Sequence, residues 1–259
     1  MPDACPQDLI DFAAALADAA RAVIRPHFRT PVAIDRKSDN TPVTIADRDA
    51  ESAMRALIGQ NYPEHGIIGE EFGNCAGSGD LTWVLDPIDG TKSFISGRPI
   101  FGTLIALVQG GRPILGIIDQ PILDERWIGA EGHPTIFNGK EITTRACGAL
   151  GDAMANSTSP ELFTGADVAP FASLSGAVWH MQYGGDCYAY AMLAMGFLDV
   201  IVEADLKPYD FCALAPIVSG AGGMITDWRG QPLMLESDGR VAAAGDPSLM
   251  PHVIKFLNR

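Results

Sequence analysis

The chain has 259 residues, of which 47% are hydrophobic and 19% charged, and these values indicate a folded globular protein with a sizeable core. Its length fits one large domain or two tightly joined halves. The formal net charge of −14 argues against a nucleic-acid-binding protein, which needs a basic face, and against binding to an anionic membrane surface.

The cysteine pattern and the first residues bear on the cellular compartment. The chain has five cysteines, an odd number, and no two of them form a C-x-x-C pair. The sequence therefore favours neither a disulfide framework nor a zinc site, and a reducing cytoplasm is expected. No signal peptide is predicted, because the first residues lack a basic segment and the first apolar stretch contains Asp11 and Asp18. No apolar run approaches the length of a membrane span.

An amphipathic helix is predicted over residues 6–24, and Pro26 helps to end it. Its apolar residues recur at helical spacing and are Leu9, Phe12, Ala13, Leu16, Ala20, Val23 and Ile24. Such a stripe is typical of a helix face that packs on a core or an interface.

A loop is predicted over residues 38–42, and a second helix follows it through Ile58. Thr44 and Asp47 have the spacing of a capping box at the start of this helix. Two roles are open for Asp47: a first-turn carboxylate stabilised by the helix dipole, or a base close to a metal site. The local sequence alone favours the first role.

Residues 65–69 are predicted to form a short strand that leads directly into Glu70 and Glu71. Two adjacent carboxylates at a strand end are normally one buried and one solvated. Because Asp86 ends another predicted strand, one of the two glutamates is a candidate metal ligand. The glycines at positions 73, 77 and 79 predict a surface loop in the next segment.

The stretch around which the chain is organised begins with a buried strand predicted over residues 81–85. Asp86 and Asp89 follow at the C-terminal end of that strand, and Pro87 is expected to stiffen the turn between them. Carboxylates in this arrangement can hold hard divalent cations, which prefer oxygen ligands.

Gly90 and Thr91 come next and begin a predicted short helix. The free N–H groups at a helix start can hold an anion such as phosphate, with help from the helix dipole. A metal and a phosphate side by side predict a metal-dependent phosphatase, and a divalent ion would also offset the acidic charge of the chain. A type I turn that caps a helix, with Asp as ordinary turn chemistry, explains the isolated motif equally well.

Three antiparallel strands are predicted after this motif, over residues 100–108, 113–118 and 126–130. Asn138 and Gly139 form a pair typical of a tight turn. The pattern breaks near residues 145–152, which predicts an N-terminal subdomain over residues 1–148 and a C-terminal subdomain over residues 149–259.

The second half alternates strands and helices, which favours two closely packed α/β layers over tethered domains. Strands are predicted over residues 178–183, 197–203, 224–227 and 241–244. Helices are predicted over residues 186–195, 210–218 and 247–257. Asp210 opens the second of these helices, where its ordinary role would be that of an N-cap.

Three motifs, in this order, resemble the inositol monophosphatase family of lithium-sensitive, magnesium-dependent phosphatases. They are Gly69-Glu70-Glu71, then W-V-L-D-P-I-D-G-T at residues 83–91, then Pro208-Tyr209-Asp210 followed by G-A-G-G at residues 220–223. The likeness runs through almost the whole chain, and the second and third motifs together are highly specific. It implies an α+β fold, a five-layered α/β/α/β/α sandwich with an antiparallel sheet region in the first half and a mixed sheet in the second.

The resemblance also implies a set of Mg²⁺ ligands. Glu70, Asp86 and the carbonyl of Ile88 would hold the first ion, and Asp86, Asp89 and Asp210 the second. A third, weaker ion would touch Glu70, which gives two or three ions per active site. Two metals can clamp the attacking and leaving oxygens of an in-line displacement.

The same resemblance implies the catalytic residues. Thr91 and Asp47 would orient and deprotonate the attacking water, while Gly90 and Thr91 would offer N–H groups to the phosphate. With this context Asp47 is predicted to be catalytic, together with Thr91 and Glu70.

Within the family the chain looks most like the bacterial histidinol-phosphate phosphatases. The matching segments are residues 89–99, 101–107, 118–127, 184–190 and 206–211. Lys92-Ser93 and Tyr209 depart from typical inositol phosphatases, in which an Asn commonly precedes the Phe and a Trp precedes the Asp.

Asp186 and Glu203 bear on the choice of substrate. By resemblance, position 203 contacts the leaving alcohol, and Asp186 stands where inositol phosphatases carry a small uncharged residue. Extra carboxylates suit a cationic leaving group, so hydrolysis of L-histidinol phosphate, in histidine biosynthesis, is predicted. Asp210 is also expected to contact the substrate. An ordinary solvated acid at a strand end is the alternative for Glu203.

Three alternatives stay open. The first is an inositol-1-phosphate or sugar monophosphatase of broad specificity. The second is a nucleotide 3′-phosphatase, which should need extra Arg or Lys for a second phosphate, whereas residues 180–210 offer only Lys207. The third is a non-catalytic binding protein, against which the intact set of acids weighs. The resemblance further implies a homodimer that acts on a small phosphomonoester, with no nucleic-acid or membrane partner.

Overall fold

The computed structural model describes residues 4–31, 33–36 and 42–258. The predicted loop over residues 38–42 therefore lies outside the described residues, except for Pro42, which begins a strand. In these ranges the helices are α1 (Gln7–Ile24), α2 (Ile45–Asn61), α3 (Thr91–Ile95), α4 (Val168–Ser175), α5 (Asp186–Ala194), α6 (Pro208–Phe211), α7 (Leu214–Gly220) and α8 (Met250–Leu257).

The strands of the same ranges form a small hairpin and two larger sheets. The hairpin consists of β1 (Ile34–Arg36) and β2 (Pro42–Thr44). The first larger sheet contains β3 (Gly66–Gly69), β4 (Gly73–Cys75), β5 (Leu81–Asp89), β6 (Gly102–Gln109), β7 (Arg112–Gln120), β8 (Glu125–Ala130), β9 (Ile136–Phe137) and β10 (Lys140–Glu141). The second contains β11 (Met154–Ser157), β12 (His180–Tyr183), β13 (Val200–Glu203), β14 (Met224–Asp227) and β15 (Val241–Ala244).

Helices and sheets alternate in five layers. Helices α1 and α2 pack together on one face of the eight-stranded sheet, through β5, β6 and β7. Helices α5 and α7 lie between the two larger sheets, and α4 and α8 cover the outer face of the five-stranded sheet. The predicted α/β/α/β/α sandwich is confirmed.

Strand β6 shows how one sheet divides two cores. Leu104, Ala106 and Val108 belong to the core between the two sheets, whereas Ile105 and Leu107 belong to the core under α1 and α2. Successive side chains of a strand point to opposite faces, so a continuous apolar run is what a strand buried on both faces requires. Each fully buried aliphatic side chain contributes about 1.5–3 kcal/mol through removal of apolar surface from water.

The sheet topologies agree with the expected arrangement. The eight-stranded sheet has the order β10-β9-β8-β7-β6-β5-β3-β4, and its pairs are antiparallel except for β3 with β5. The five-stranded sheet, β12-β11-β13-β15-β14, mixes parallel and antiparallel pairs. The subdomain boundary after residue 148 stays a prediction.

The elements with clear local patterns lie where they were predicted. Helix α1 begins at Gln7 and ends at Ile24, and the strands β6, β7 and β8 follow the predicted antiparallel order. Asn138 and Gly139 both have positive φ, 45° and 80°, as a tight hairpin turn between β9 and β10 requires.

The turn predicted at Pro87 is wrong, because Pro87 lies within strand β5. The strand continues to Asp89, and its pairing with β6 shifts register between Asp86 and Asp89. Side chains three positions apart point to opposite faces of a regular strand, so this irregularity is what allows both aspartates to face one pocket. It also accommodates Pro87, which cannot donate a hydrogen bond to the ladder.

The single helix predicted over residues 210–218 is wrong, because the segment forms two helices, α6 and α7. Pro216 has no N–H group to bond the carbonyl of Cys212, so one continuous helix would lose a hydrogen bond there. Asp210 is not an N-cap. It occupies the third position of α6, whose N-cap is Lys207 and whose first residue is Pro208.

Smaller differences affect the edges of the fold. Residues 73–75 of the predicted surface loop form the exposed edge strand β4. The last predicted helix is divided into a 3₁₀ turn, Pro247–Leu249, and α8. The sequence patterns did not predict β11 or α4. In the described ranges, none of the helices has the length and apolar character needed to cross a membrane.

Candidate active site

The candidate site lies at the edge of the first sheet where β3 and β5 end. These two strands are parallel, and Gly69 pairs with Leu85. Glu70 follows Gly69 directly after β3, and Asp86 follows Leu85 within β5, so the two acids emerge side by side. The backbone N–H of Glu70 donates to the carbonyl oxygen of Leu85 at 3.2 Å, which continues the ladder into the acidic pair.

Helix α6 brings Asp210 to the same edge by packing against β5. One carboxylate oxygen from each of Asp86, Asp89 and Asp210 lies within 4.8 Å of the others. The predicted convergence of acids from distant parts of the chain is therefore present for these three residues. Glu70 stands outside this close group, next to Asp86 at the end of the β3–β5 pair, and its charge contributes to the raised pKa of both Asp86 and Asp210.

Burial and mutual repulsion dominate the electrostatics of this carboxylate cluster. Burial raises the pKa of Asp86 well above its ordinary value, and the charges of Glu70, Asp89 and Asp210 add to that shift. Burial likewise raises the pKa of Asp89, with further contributions from Asp186 and Asp210. Asp210 has its pKa raised to about 7, chiefly by burial. Like charges at this distance disfavour one another, and a bound cation would relieve that repulsion.

The donor set fits hard divalent cations such as Mg²⁺. It offers carboxylate oxygens from Asp86, Asp89 and Asp210, and hard cations bind oxygen ligands. The N–H of Ile88 donates to Oδ1 of Asp86 at 3.0 Å and fixes the rotamer of that side chain. The carbonyl oxygen of Ile88, a predicted ligand, accepts a hydrogen bond from the Thr91 hydroxyl at 3.1 Å and retains a second lone pair.

Asp47 has the helix-capping role that its sequence suggested, and its role as a base stays a prediction. Its Oδ2 atom accepts hydrogen bonds from the backbone N–H and the hydroxyl of Thr44, at 2.8 and 2.6 Å, so the predicted capping box is present. Its Oδ1 atom lies 3.4 Å from the Thr91 hydroxyl oxygen. The side chain is fully buried, and burial is the largest cause of its raised pKa. Asp47 is thus held rigidly by its helix and faces the candidate site with its second oxygen.

Gly90 provides the sharp change of direction between β5 and α3. It is the N-cap of α3 and has φ of +83°, a conformation that favours glycine. A Cβ atom at this position would lie 2.7 Å from Oδ2 of Asp186. The carboxylate of Asp186 therefore lies in the space that a side chain at position 90 would need.

Asp186 begins α5, next to the start of α3. Its Oδ2 atom accepts a hydrogen bond from the Ser93 hydroxyl at 3.1 Å. Burial raises the pKa of Asp186, while Ser93 and the nearby cations Lys92 and Arg98 oppose the shift. Asp186 has positive φ, as do Gly184 and Gly185 before it, so three consecutive left-handed residues turn the chain into this position.

Glu203 ends β13, as predicted, and only 3% of it is exposed. It is not the solvated strand-end acid of the alternative interpretation. Oε1 accepts from the N–H of Thr158 at 2.9 Å, and Oε2 from the Tyr190 hydroxyl at 3.1 Å. Burial is the largest cause of its raised pKa, which is about 7. Its contact with a leaving group stays a prediction.

The sequence did not reveal two further contributors to the site. The N–H of Cys187 donates to Oδ2 of Asp89 at 2.6 Å, across 98 positions of the chain. The hydroxyl of Ser93 holds Asp186, and Lys92-Ser93 had stood out only as a departure from a motif. A backbone donor carries no residue signature, so the contact of Cys187 was not open to prediction from residue types.

The family model and the similar proteins all indicate a phosphatase. The model of the inositol monophosphatase family matches residues 6–259. The bifunctional phosphatase IMPL2, chloroplastic, of Arabidopsis thaliana is 51% identical over 252 residues, which cover 94% of this chain and 73% of that protein. A histidinol-phosphatase of Streptomyces coelicolor is 35% identical over 271 residues, covering 100% of this chain and 99% of that protein.

Among solved structures, an inositol monophosphatase from Zymomonas mobilis is similar with a TM-score of 0.90 and 50% identity. The match covers 98% of each chain. A Thermotoga maritima IMPase matches with a TM-score of 0.86 and 27% identity, over 97% of each chain.

Proposed function

The chain belongs to the inositol monophosphatase family of phosphatases, and from that premise we propose a Mg²⁺-dependent hydrolase that converts L-histidinol phosphate into L-histidinol and phosphate. The observation that carries the metal-dependent part is the cluster of Asp86, Asp89 and Asp210 within 4.8 Å. Glu70 and the carbonyl of Ile88 complete the proposed ligands. When bound, the divalent ions stabilise the negative charge that develops on the transferred phosphoryl group.

Thr91 and Asp47 are proposed to orient and deprotonate the attacking water. The Thr91 hydroxyl has one hydrogen, which can point to Asp47 or to the carbonyl of Ile88. In either case a lone pair of the hydroxyl oxygen can accept a hydrogen bond from the water and orient it. The raised pKa of Asp47 makes its carboxylate a better proton acceptor than an exposed aspartate.

The phosphate is proposed to lie at the start of α3, against the N–H groups of Gly90 and Thr91. A glycine at position 90 allows the backbone to approach a ligand closely, and φ of +83° turns the chain directly into the helix. The water oxygen then attacks phosphorus while its proton passes to Asp47, the ester P–O bond breaks, and the leaving-group oxygen takes a proton from solvent to become the alcohol.

The specificity for a cationic leaving group rests on Asp186. Its position next to Gly90 puts a carboxylate beside the proposed phosphate position. Histidinol carries an ammonium and an imidazole, and charge-assisted hydrogen bonds to a carboxylate would favour such a group. Glu203 and Asp210 are proposed as further substrate contacts. The likeness to histidinol-phosphatases at 34–35% identity supports this substrate.

A broad inositol-1-phosphate or sugar monophosphatase is the second candidate. It is favoured by the 50% identity with the Zymomonas mobilis inositol monophosphatase and by the bifunctional name of the Arabidopsis relative. A nucleotide 3′-phosphatase is less well supported, because it should need a cation that binds a second phosphate. Lys207 instead forms an ion pair with Asp205 at 2.8 Å.

Phosphate release from three substrates, assayed side by side with and without Mg²⁺, tests the proposal. The substrates are L-histidinol phosphate, inositol 1-phosphate and adenosine 3′,5′-bisphosphate. We expect Mg²⁺-dependent release with the highest kcat/KM for histidinol phosphate. A higher kcat/KM for inositol 1-phosphate would favour the second candidate, and no release from any of them would favour a non-catalytic protein.

We also propose a cytoplasmic homodimer that lithium inhibits, and the resemblance supports the homodimer and the lithium sensitivity. The free cysteines Cys5, Cys75, Cys147, Cys187 and Cys212 are consistent with a reducing compartment. Sedimentation analysis and a lithium titration of phosphate release test the other two properties.

A further inference from the structure

A second acidic residue of α2 is buried directly behind the turn that carries Glu70. Glu51 lies one helical turn after Asp47 and is fully buried. Its Oε1 atom accepts from Nε of Arg55 at 2.7 Å and from the backbone N–H of Phe72 at 3.1 Å. Its Oε2 atom accepts from the backbone N–H of Glu71 at 2.8 Å. The carboxylate thus holds the two residues that follow Glu70.

The approach between this carboxylate and the turn is close. A Cβ atom at Gly69 would clash with Oε1 of Glu51 and would lie 2.6 Å from Nη2 of Arg55. Nη2 of Arg55 also donates to the carbonyl oxygen of Gly73. Glu51 and Arg55 together therefore contact the backbone on both sides of Glu70, from position 69 to position 73.

Glu70 is consequently fixed from two directions. Its own N–H donates to Leu85 of β5, and the following two N–H groups donate to Glu51. Gly69 pairs with Leu85, so Glu70 follows β3 next to Asp86 of β5.

We propose that Glu51, braced by Arg55, is a positioning residue that holds the Glu70 turn in the geometry needed for cation binding. The inference rests on the proposed function for the ligand role of Glu70. The residues that orient metal ligands typically change metal affinity or activity about 10- to 100-fold when they are substituted. Because α2 also carries Asp47, the same helix fixes the position of the proposed base and of the turn that carries the proposed ligand Glu70.

The substitution Glu51→Gln tests this role with little change in volume. The amide nitrogen would direct hydrogens at an N–H group of the turn or at Arg55, where the carboxylate now accepts. The direct readout is the affinity for Mn²⁺ in the absence of substrate, measured by electron paramagnetic resonance of free and bound ion. We expect the dissociation constant to rise about 10- to 100-fold. The Mg²⁺ concentration for half-maximal phosphate release should rise in parallel, with kcat largely restored at saturating Mg²⁺.

Asp199→Asn is the matched control. Asp199 is also a buried carboxylate that accepts from an arginine, Arg145 at 2.7 and 2.6 Å, and from a backbone N–H, that of Met154 at 2.8 Å. It lies just before β13, whose other end carries Glu203. The substitution should lower the thermal midpoint about as much as Glu51→Gln does, and leave Mn²⁺ affinity within about twofold of the wild type.

Unchanged Mn²⁺ affinity in a folded Glu51→Gln variant would overturn the inference, as would an equal loss of affinity in the Asp199→Asn control. If Glu51→Gln does not fold, Arg55→Gln, which removes the brace and the bond to Gly73, carries the same comparison and the same expected result. Failure of the proposed function gives a different result from failure of this inference. In that case the wild-type protein itself would bind no Mn²⁺ at the carboxylate cluster.

Discussion

Oδ1 of Asp47 lies 3.4 Å from the hydroxyl oxygen of Thr91, although 44 positions separate the two residues. The pair joins the first turn of α2 to the first turn of α3, and each helix start is fixed independently. Asp47 is held by Thr44, and the Thr91 hydroxyl is within reach of the Ile88 carbonyl. The two side chains can therefore act together on a water without a rearrangement of either helix.

Asp47→Asn should separate catalysis from stability. An asparagine oxygen can still accept the hydrogen bonds from Thr44, so the helix cap is retained and the thermal midpoint should change little. The amide cannot take a proton from water, and we expect kcat to fall about 10²- to 10⁴-fold. Steady-state phosphate release and thermal unfolding measure the two effects. A fall in kcat of less than tenfold would remove Asp47 from the catalytic pair.

Gly90→Ala should damage the site through two separable effects. Alanine is strained at φ of +83°, and its Cβ would lie 2.7 Å from Oδ2 of Asp186. Gly139→Ala is the control, because Gly139 has φ of +80° but no atom within 4 Å of the added Cβ. We expect about 1–2 kcal/mol of lost unfolding free energy for the control and more for Gly90→Ala.

Activity should distinguish these two glycine variants further. Gly139→Ala is expected to retain wild-type kcat/KM, whereas Gly90→Ala should lose most of it because Asp186 and the start of α3 must move apart. Urea unfolding and steady-state kinetics provide the measurements. Equal losses of stability and activity in both variants would show that the contact between Gly90 and Asp186 has no special effect.

Asp89→Asn should stabilise the metal-free protein and weaken stabilisation by Mg²⁺. Asp89 lies within 4.8 Å of Asp86 and Asp210, and removal of its charge relieves repulsion between buried carboxylates. In EDTA the thermal midpoint of the variant should therefore exceed that of the wild type. Added Mg²⁺ should raise the midpoint of the wild type more than that of the variant, because a ligand stabilises the state that binds it and the variant lacks one proposed ligand of the second ion. The opposite order in EDTA would contradict this electrostatic description.

His65 should make the unfolding free energy depend on pH. Its Nδ1 atom accepts a hydrogen bond from Nε1 of the buried Trp83 at 3.1 Å, and burial lowers its pKa below the ordinary 6.5. The unfolded chain therefore takes up the proton first as the pH falls. The contribution of neutral His65 to stability is complete above about pH 6.5 and is lost as the pH falls towards the lowered folded pKa.

His65→Asn isolates that contribution, since the asparagine oxygen can accept from Trp83 without titrating. Urea unfolding at about pH 7.5 and about pH 5.5 measures the loss for each protein. We expect the wild type to lose more stability on acidification than the variant. An equal loss would mean that His65 remains unprotonated, or titrates alike, in both states.

Local patterns predicted the elements whose structure depends on local contacts. The apolar spacing in α1, the turn at Asn138 and Gly139, and the capping box of Thr44 and Asp47 all required no information from distant residues. The structure confirms these three features.

Predictions failed where a proline or a distant partner decides the geometry. Pro216 divides the segment after Asp210 into two helices, and the register shift around Pro87 replaces the expected turn with strand. Sequence periodicity could not predict that Asp210 lies close to Asp86. That prediction came from the resemblance to a family. Glu51 was not identified because its partners, Glu71 and Phe72, lie 20 and 21 positions away and bind through their backbone.

Asp86, Asp89 and Asp210 are proposed to hold divalent cations at one pocket, and the proposed hydrolysis depends on those cations. Anomalous diffraction from a crystal grown with Mn²⁺ tests it most directly. We predict anomalous peaks between the three carboxylates, with oxygen atoms of each at about 2.1 Å from an ion. Peaks elsewhere with none in this pocket, or the three side chains pointing away from one another, would contradict it.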